Sequence, residues 1–208
     1  PTVNDDVAAI TGRVAPGGVT NDNTPTLSGT TDPNATVSIF DNGALLTTTT
    51  ANANGEWSVS PTLAEGAHSV TVSVRDTAGN DSATSTAFAF TIDTTAPADP
   101  TVNPTNGLGA LTGTSDPGTT VQIDIGGTLV TVPAQADGTW SYTFTSQPAD
   151  NTVISVTAVD AAGNLSGSAS VEVDTVPPSS PTLTSVTDDQ APVTGTIADD
   201  EATNDPLP

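Results

Sequence analysis

Two stretches decide how this chain is read: SVTVSVRDTAGNDS at residues 69–82 and VISVTAVDAAGNLS at residues 153–166. Each begins as an alternation of apolar and polar residues, the period of a strand with one face buried. Each then breaks into D-x-A-G-N, which is too polar to pack and whose glycine (Gly79, Gly163) permits a left-handed turn residue. A strand that closes twice on the same turn reads as one half of a hairpin, present once in each of two related domains.

The rest of the chain repeats in step. TLSGTTDPNATV (26–37) aligns with ALTGTSDPGTTV (110–121), NGEWSVS (54–60) with DGTWSYT (137–143), and FTIDTTAP (90–97) with VEVDTVPP (171–178). A longer repeat joins residues 3–25 to residues 186–208 and aligns Asp5, Asp6, Gly12, Asn21 and Asp22 with Asp188, Asp189, Gly195, Asn204 and Asp205. Repeats at a fixed period mark an array of similar units. The organisation expected is a domain at 1–93, a second at 94–174, and a linker with the start of a third at 175–208. The chain opens inside a pattern, as a piece of a longer array would.

Composition narrows the class. The 208 residues hold 24 acidic side chains against two arginines, with one His, no Cys and a net charge of −22. A hydrophobic share of 34% would suit a disordered chain, but the apolar residues sit in short alternating strings such as FAFTI (88–92). The charge repels nucleic acid and anionic membrane surfaces. Disulfide and thiolate chemistry are excluded. No run is long enough to cross a membrane as a helix, and no signal peptide is visible.

Short strands with turn signals between them and no helical periodicity predict an all-β chain of tandem immunoglobulin-like β-sandwiches with Greek-key topology. DNG (41–43) and GG (126–127) read as hairpin turns. Trp57 and Trp140 are the expected core anchors, with Val70, Val72, Phe88, Phe90, Ile92, Ile154 and Val156. LTTTTA (46–51) reads as an edge strand kept soluble by its hydroxyls.

In a sandwich of this connectivity D-x-A-G-N lies between strands F and G, and TTDPNAT and TSDPGTT lie between B and C. Those loops share the pole at which the chain enters. Asp93 from the linker, Asp116 from the B–C loop, and Asp160 with Asn164 from the F–G loop are therefore expected at one junction. Carboxylates that converge without a cation repel one another, and residues 94–174 contain no Lys or Arg. Ca²⁺ suits such oxygen donors better than Mg²⁺, Zn²⁺ or Cu²⁺. Asp32, Asp76 and Asn80 form the matching half-site on the first domain, and Asp174 the half-site at the C-terminal linker. Asp5, Asp6, Asn21 and Asp22, with their copies Asp188, Asp189 and Asp205, are a further candidate whose pole the sequence does not fix. Against this, any single Asp in such loops is ordinary turn chemistry.

Taken together, TLSGTTDPNATVSIFDNG, NGEWSVSPTLAEGAHSVTVSVRDTAGN and IDTTAPADP resemble the bacterial Ig-like repeats of giant secreted adhesins, including biofilm-associated and RTX-type surface proteins. The resemblance implies a linear array with Ca²⁺ at its junctions, extending an adhesive tip from the bacterial surface. It implies an extracellular location, neighbouring repeats of the same chain as partners, and a monomer without nucleic-acid or membrane contact. It assigns the junction role to Asp93, Asp116 and Asp160. Catalysis is not expected, because His68, placed just before strand F, has no nucleophile motif beside it and seven aromatics hardly line a cleft. The runner-up is a module that binds a carbohydrate or a surface.

Overall fold

The structure is a computed structural model that describes residues 1–182, 184–188 and 195–197, with the backbone alone at 186–188, 195 and 197. All regular structure among these residues is β. The chain divides into two compact units, Pro1–Thr175 and Val176–Pro208.

The first unit holds two sandwiches. In the first are β1 (Thr2–Asp5), β2 (Gly12–Arg13), β3 (Val19–Thr20), β4 (Thr26–Thr30), β5 (Thr36–Asp41), β6 (Ala44–Thr50), β7 (Glu56–Val59), β8 (Gly66–Arg75) and β9 (Phe88–Ile92). One sheet runs β2-β1-β4-β7 and the other β3-β9-β8-β5-β6. The chain crosses between sheets after β4 and again on either side of β7, the Greek-key pattern expected. The opening strands are divided between the sheets, with β3 leaving the first sheet to pair in parallel with β9.

The second sandwich has β10 (Ala110–Thr114), β11 (Thr120–Ile125), β12 (Thr128–Pro133), β13 (Thr139–Thr143), β14 (Val153–Val159) and β15 (Ala169–Glu172). These pair as β10-β13 and β12-β11-β14-β15. Thr101 and Asn103 donate backbone bonds to Thr114 and Thr112, so the entering segment covers the free side of β10. In Val176–Pro208, β16 (Val186–Asp188) pairs with β17 (Gly195–Ile197). Asp188 faces Gly195 as Asp5 faces Gly12, the same register in the two copies of the long repeat.

Each sandwich closes on a tryptophan. Trp57 and Trp140 are 5% and 2% exposed and stand directly across from Gly29 and Gly113 in the ladders. A Cβ on Gly29 would come within 2.8 Å of the Trp57 ring, and one on Gly113 within 2.5 Å of Trp140. The missing side chain is what lets each indole lie flat on the neighbouring strand. Val37, Ile39, Val70 and Ile92 complete one core, and Ile123, Ile154, Val156 and Val173 the other. Each such side chain stabilises its fold by roughly 1.5–3 kcal/mol on burial. The hairpin turns are as expected. Asn42 and Gly43 have φ of 49° and 83°, and Gly126 and Gly127 have 57° and 94°, the doubly positive pattern of a type I′ turn.

Candidate metal centre and domain junction

The D-x-A-G-N loops leave β8 and β14 at the pole where β4 and β10 also end. In the second sandwich Asp160 Oδ1 accepts the backbone N–H groups of Ala162, Gly163 and Asn164 at 2.8–2.9 Å. The Asn164 side-chain amide donates to Asp160 Oδ2 at 2.9 Å. Asn80 repeats both of its bonds to Asp76 at 2.8 Å. The aspartate gathers the turn's amides and the asparagine closes the ring, which explains why both letters recur. Asn80 is also the cause that holds the Asp76 carboxyl below the usual carboxylate range, first through its side chain and then through its backbone.

At the junction the same asparagine reaches further. Asn164 Nδ2 donates to the backbone carbonyl of Asp93 at 2.7 Å, so the F–G loop of the second sandwich is tied to the end of β9 in the first. The Asp93 carboxylate accepts the Thr95 N–H at 3.1 Å. Asp116 accepts the Ala98 N–H at 2.8 Å and holds the linker where it enters the second domain. Asn164 thus brings Asp93 and Asp160 together, while Asp116 grips the linker at a separate point. Among the described residues, no three Asp, Glu or His side chains form a group that could hold a metal by themselves.

The Asp-Asp and Asn-Asp pairs, whose pole was open, fall at this same junction. The Asp93 N–H donates to Thr20 O, which places the end of β3 beside the end of β9. The Thr20 hydroxyl donates to Asp5 Oδ2 at 2.6 Å and accepts the Asp22 N–H at 3.1 Å. Asp6 N–H donates to Asp22 Oδ2 at 3.4 Å. Asp5 is 4% exposed and Asp22 fully buried, and no Lys, Arg or His pairs with either among the described residues. Between them, Asn21 donates to Ala8 O while its Oδ1 is buried with no hydrogen-bond partner. An orphaned amide oxygen in the same segment as two buried carboxylates is hard-oxygen donor chemistry of the type Ca²⁺ takes. In donor type these residues fit the ion, with each carboxylate oxygen already accepting a hydrogen bond: from Val7 and Thr20 at Asp5, and from Asp6 and Thr24 at Asp22.

The other candidates are placed separately. Asp32, Asp76 and Asn80 line one groove of about 450 Å³ with Thr31 and Asp81. Asp174 donates its N–H to Thr105 O at 3.1 Å. Asp188 lies in β16, while Asp189 and Asp205 lie outside the described residues.

Three acidic residues of the junction and linkers had no signal in the motifs. Glu65 accepts the Thr94 hydroxyl and N–H and the Thr95 hydroxyl, and Asp150 accepts the Thr175 N–H and hydroxyl at 2.8 and 3.0 Å. Both stand just before strand F and clasp the first linker residues of their own domain. Asp99 packs so tightly on Gly167 that a Cβ there would lie 2.5 Å from its Oδ1. The recurrence of Asp-Thr after each last strand was the available clue. His68 is inside β8 rather than before it, and it is buried. Its Nδ1 is 2.8 Å from Asp41 Oδ2 and its Nε2 2.8 Å from Ala64 O.

Residues 1–94 match the family model for a bacterial Ig-like domain, and residues 96–175 match that for a bacterial Ig domain. No curated protein matches the chain. Among solved structures, the fibronectin(III)-like modules of Clostridium thermocellum CbhA share 16% identity over 83% of this chain and 92% of that one, with a TM-score of 0.51. That is a likeness of fold. The BSP domain of a biofilm associated protein shares 22% identity over 78% of this chain and 29% of that one, with a TM-score of 0.36. A Ca²⁺-stabilized adhesin with which an Antarctic bacterium binds ice shares 27% over 82% and 54%, with a TM-score of 0.40. The chain spans less than two thirds of the length of these last two.

Proposed function

Residues 1–94 and 96–175 are two bacterial Ig-like domains in tandem, and from that premise we propose that the chain is a Ca²⁺-rigidified extender of a large bacterial surface adhesin of the RTX type, without enzymatic activity. The observation that carries this reading is the setting of Asp93. Its backbone joins Thr20 of one domain to Asn164 of the next, beside buried carboxylates that no basic side chain offsets. Asp5, Asn21, Asp22 and Asp93 from the first domain, with Asp160 and Asn164 from the second, would supply the oxygens that hold the ion, while Asp116 holds the linker at Ala98. When bound, Ca²⁺ supplies a positive charge shared by ligands from two domains, which fixes their angle.

Function as a spacer follows from what that fixing does. An ion bound only by the docked pair stabilises it by about 2.7 kcal/mol at a hundredfold excess over Kd. Extracellular modules bind Ca²⁺ at roughly 10⁻⁴–10⁻³ M, so the array stiffens outside the cell and stays compliant where calcium is scarce. The prolines of both linkers (Pro97, Pro100, Pro177, Pro178) restrict φ further. Both tryptophans are spent on the cores, which leaves a sugar-binding module without an indole platform.

Small-angle scattering and a thermal melt, each in EGTA and in millimolar Ca²⁺, test the proposal. A longer particle with a raised Tm in Ca²⁺ is expected. Asp93→Ala should abolish the lengthening while both sandwiches stay folded. Identical curves with and without Ca²⁺ would reduce the acidic loops to turn formers.

A further inference from the structure

The two D-x-A-G-N loops have the same sequence pattern, the same bonds between their aspartate and asparagine and nearly the same glycine φ, 94° at Gly79 and 99° at Gly163. Their surroundings differ. Ala78 and Gly79 are exposed, whereas Ala162 and Gly163 are buried, Ala162 to 2%. The cover comes from the first domain, from the loop between β1 and β2. Ala9 N–H reaches Gly163 O at 3.4 Å, and a Cβ on Gly163 would lie 3.2–3.4 Å from the backbone N, Cβ and Cγ1 of Ile10. At Gly79 nothing lies within 4 Å of the same point. The covering loop is itself held from behind, because Asn21 donates to Ala8 O and the Val7 N–H donates to Asp5 Oδ1.

We infer that the β1–β2 loop, residues 6–11, is a metal-independent clamp that recognises the D-x-A-G-N loop of the repeat that follows it. Ile10, which keeps about half of its surface exposed, makes the contact through its backbone N, Cβ and Cγ1, and Gly163 is the residue that admits it. The partner is therefore chemically defined: an F–G loop whose fourth position has no side chain, offered by another Ig-like repeat. Residues 94–174 have no counterpart of this hairpin among their strands, so the clamp is a feature of the first domain's opening hairpin. The inference rests on the tandem-array reading above but requires no ion.

The full chain contains no Cys, so Ser58→Cys and Ser141→Cys, both exposed, can carry nitroxide labels on the two sandwiches. Distance distributions are then recorded by pulsed electron resonance in EGTA. The parent is expected to give a narrow peak that Ile10→Ser and Gly163→Ala each abolish. Gly79→Ala meets the same positive-φ strain without any clamp, and it should keep the narrow peak. A broad parent distribution in EGTA, a narrow peak surviving in both clamp variants, or an equal loss in Gly79→Ala would overturn the clamp. Repeating the series in Ca²⁺ separates the two ideas. Sharpening of the clamp variants by Ca²⁺ supports the metal site whatever the clamp does, and a clamp effect in EGTA stands even where Ca²⁺ changes nothing.

Discussion

Asp76 accepts both the side-chain amide and the backbone N–H of Asn80, and these bonds lower its pKa in the folded state. A carboxyl depressed on folding contributes stability above its unfolded pKa, about 3.9 for Asp, and loses it as pH falls through the folded value. The 76–80 loop should therefore keep its form through mildly acidic pH and loosen only below the ordinary Asp range. Carboxyl-carbon NMR would follow the titration, and Asn80→Ala should move the Asp76 midpoint upward. An unmoved midpoint would show that the asparagine is not the cause. The glycine–tryptophan pairs make a second residue-scale test. Gly29→Ala forces a methyl into the Trp57 ring and should cost about 1–3 kcal/mol as overpacking, whereas Trp57→Ala should cost about 3–5 kcal/mol as a cavity. Because the two residues touch, their combination should cost less than the two separate losses added together. Urea denaturation of the four chains measures this, and strict additivity would mean that the contact is not what Gly29 protects.

At the scale of elements, the segments before β8 and β14 act as clasps for the linkers that leave their own domains. The Thr94 hydroxyl, then the Thr95 hydroxyl, hold the Glu65 carboxyl below its ordinary range, and Thr175 does the same for Asp150. Glu65→Ala should raise the hydrogen-exchange rate of the Thr94 amide with little change in Tm, because the group is fully exposed and its bonds are local. Unchanged exchange would remove the clasp. This part of the junction was not legible in the sequence. A threonine hydroxyl bonding a carboxylate 29 residues away leaves no period, and single Glu and Thr letters are ordinary in loops. The strands were legible, because one buried face imposes alternation on Val70, Val37 and Ile39, and Asn42-Gly43 admits few turns other than the one found. The pole of Asp5 and Asp22 was hidden for a topological reason. It depends on β3 leaving the first sheet to run parallel beside β9, a pairing across more than 70 residues with only Val19 and Thr20 to announce it.

For the whole molecule, the net charge of −22 poses a problem that any cation would relieve. Self-repulsion destabilises the compact form, and salt screens it, with a Debye length of about 10 Å at 0.1 M. Sodium chloride alone should therefore raise the Tm in EGTA, and a bare rise in Ca²⁺ would not by itself prove a site. The two effects separate at matched ionic strength. Screening depends only on ionic strength and falls off as salt is added, since exposed charges far apart are already shielded. An ion held by Asp5, Asn21, Asp22 and the Asp93 segment meets partly buried ligands that salt screens much less. With NaCl fixed at 0.5 M, a step from EGTA to millimolar Ca²⁺ should still raise the Tm, and Mg²⁺ at the same concentration should do so less, because it dehydrates reluctantly and demands octahedral geometry. Calorimetry at constant ionic strength reads the difference directly. If Ca²⁺ and Mg²⁺ shift the melt equally, or neither does once NaCl is high, the acidic surface is only repelling itself, and the rigidity of this junction falls to Asn164, Asp116 and the Ile10 contact alone.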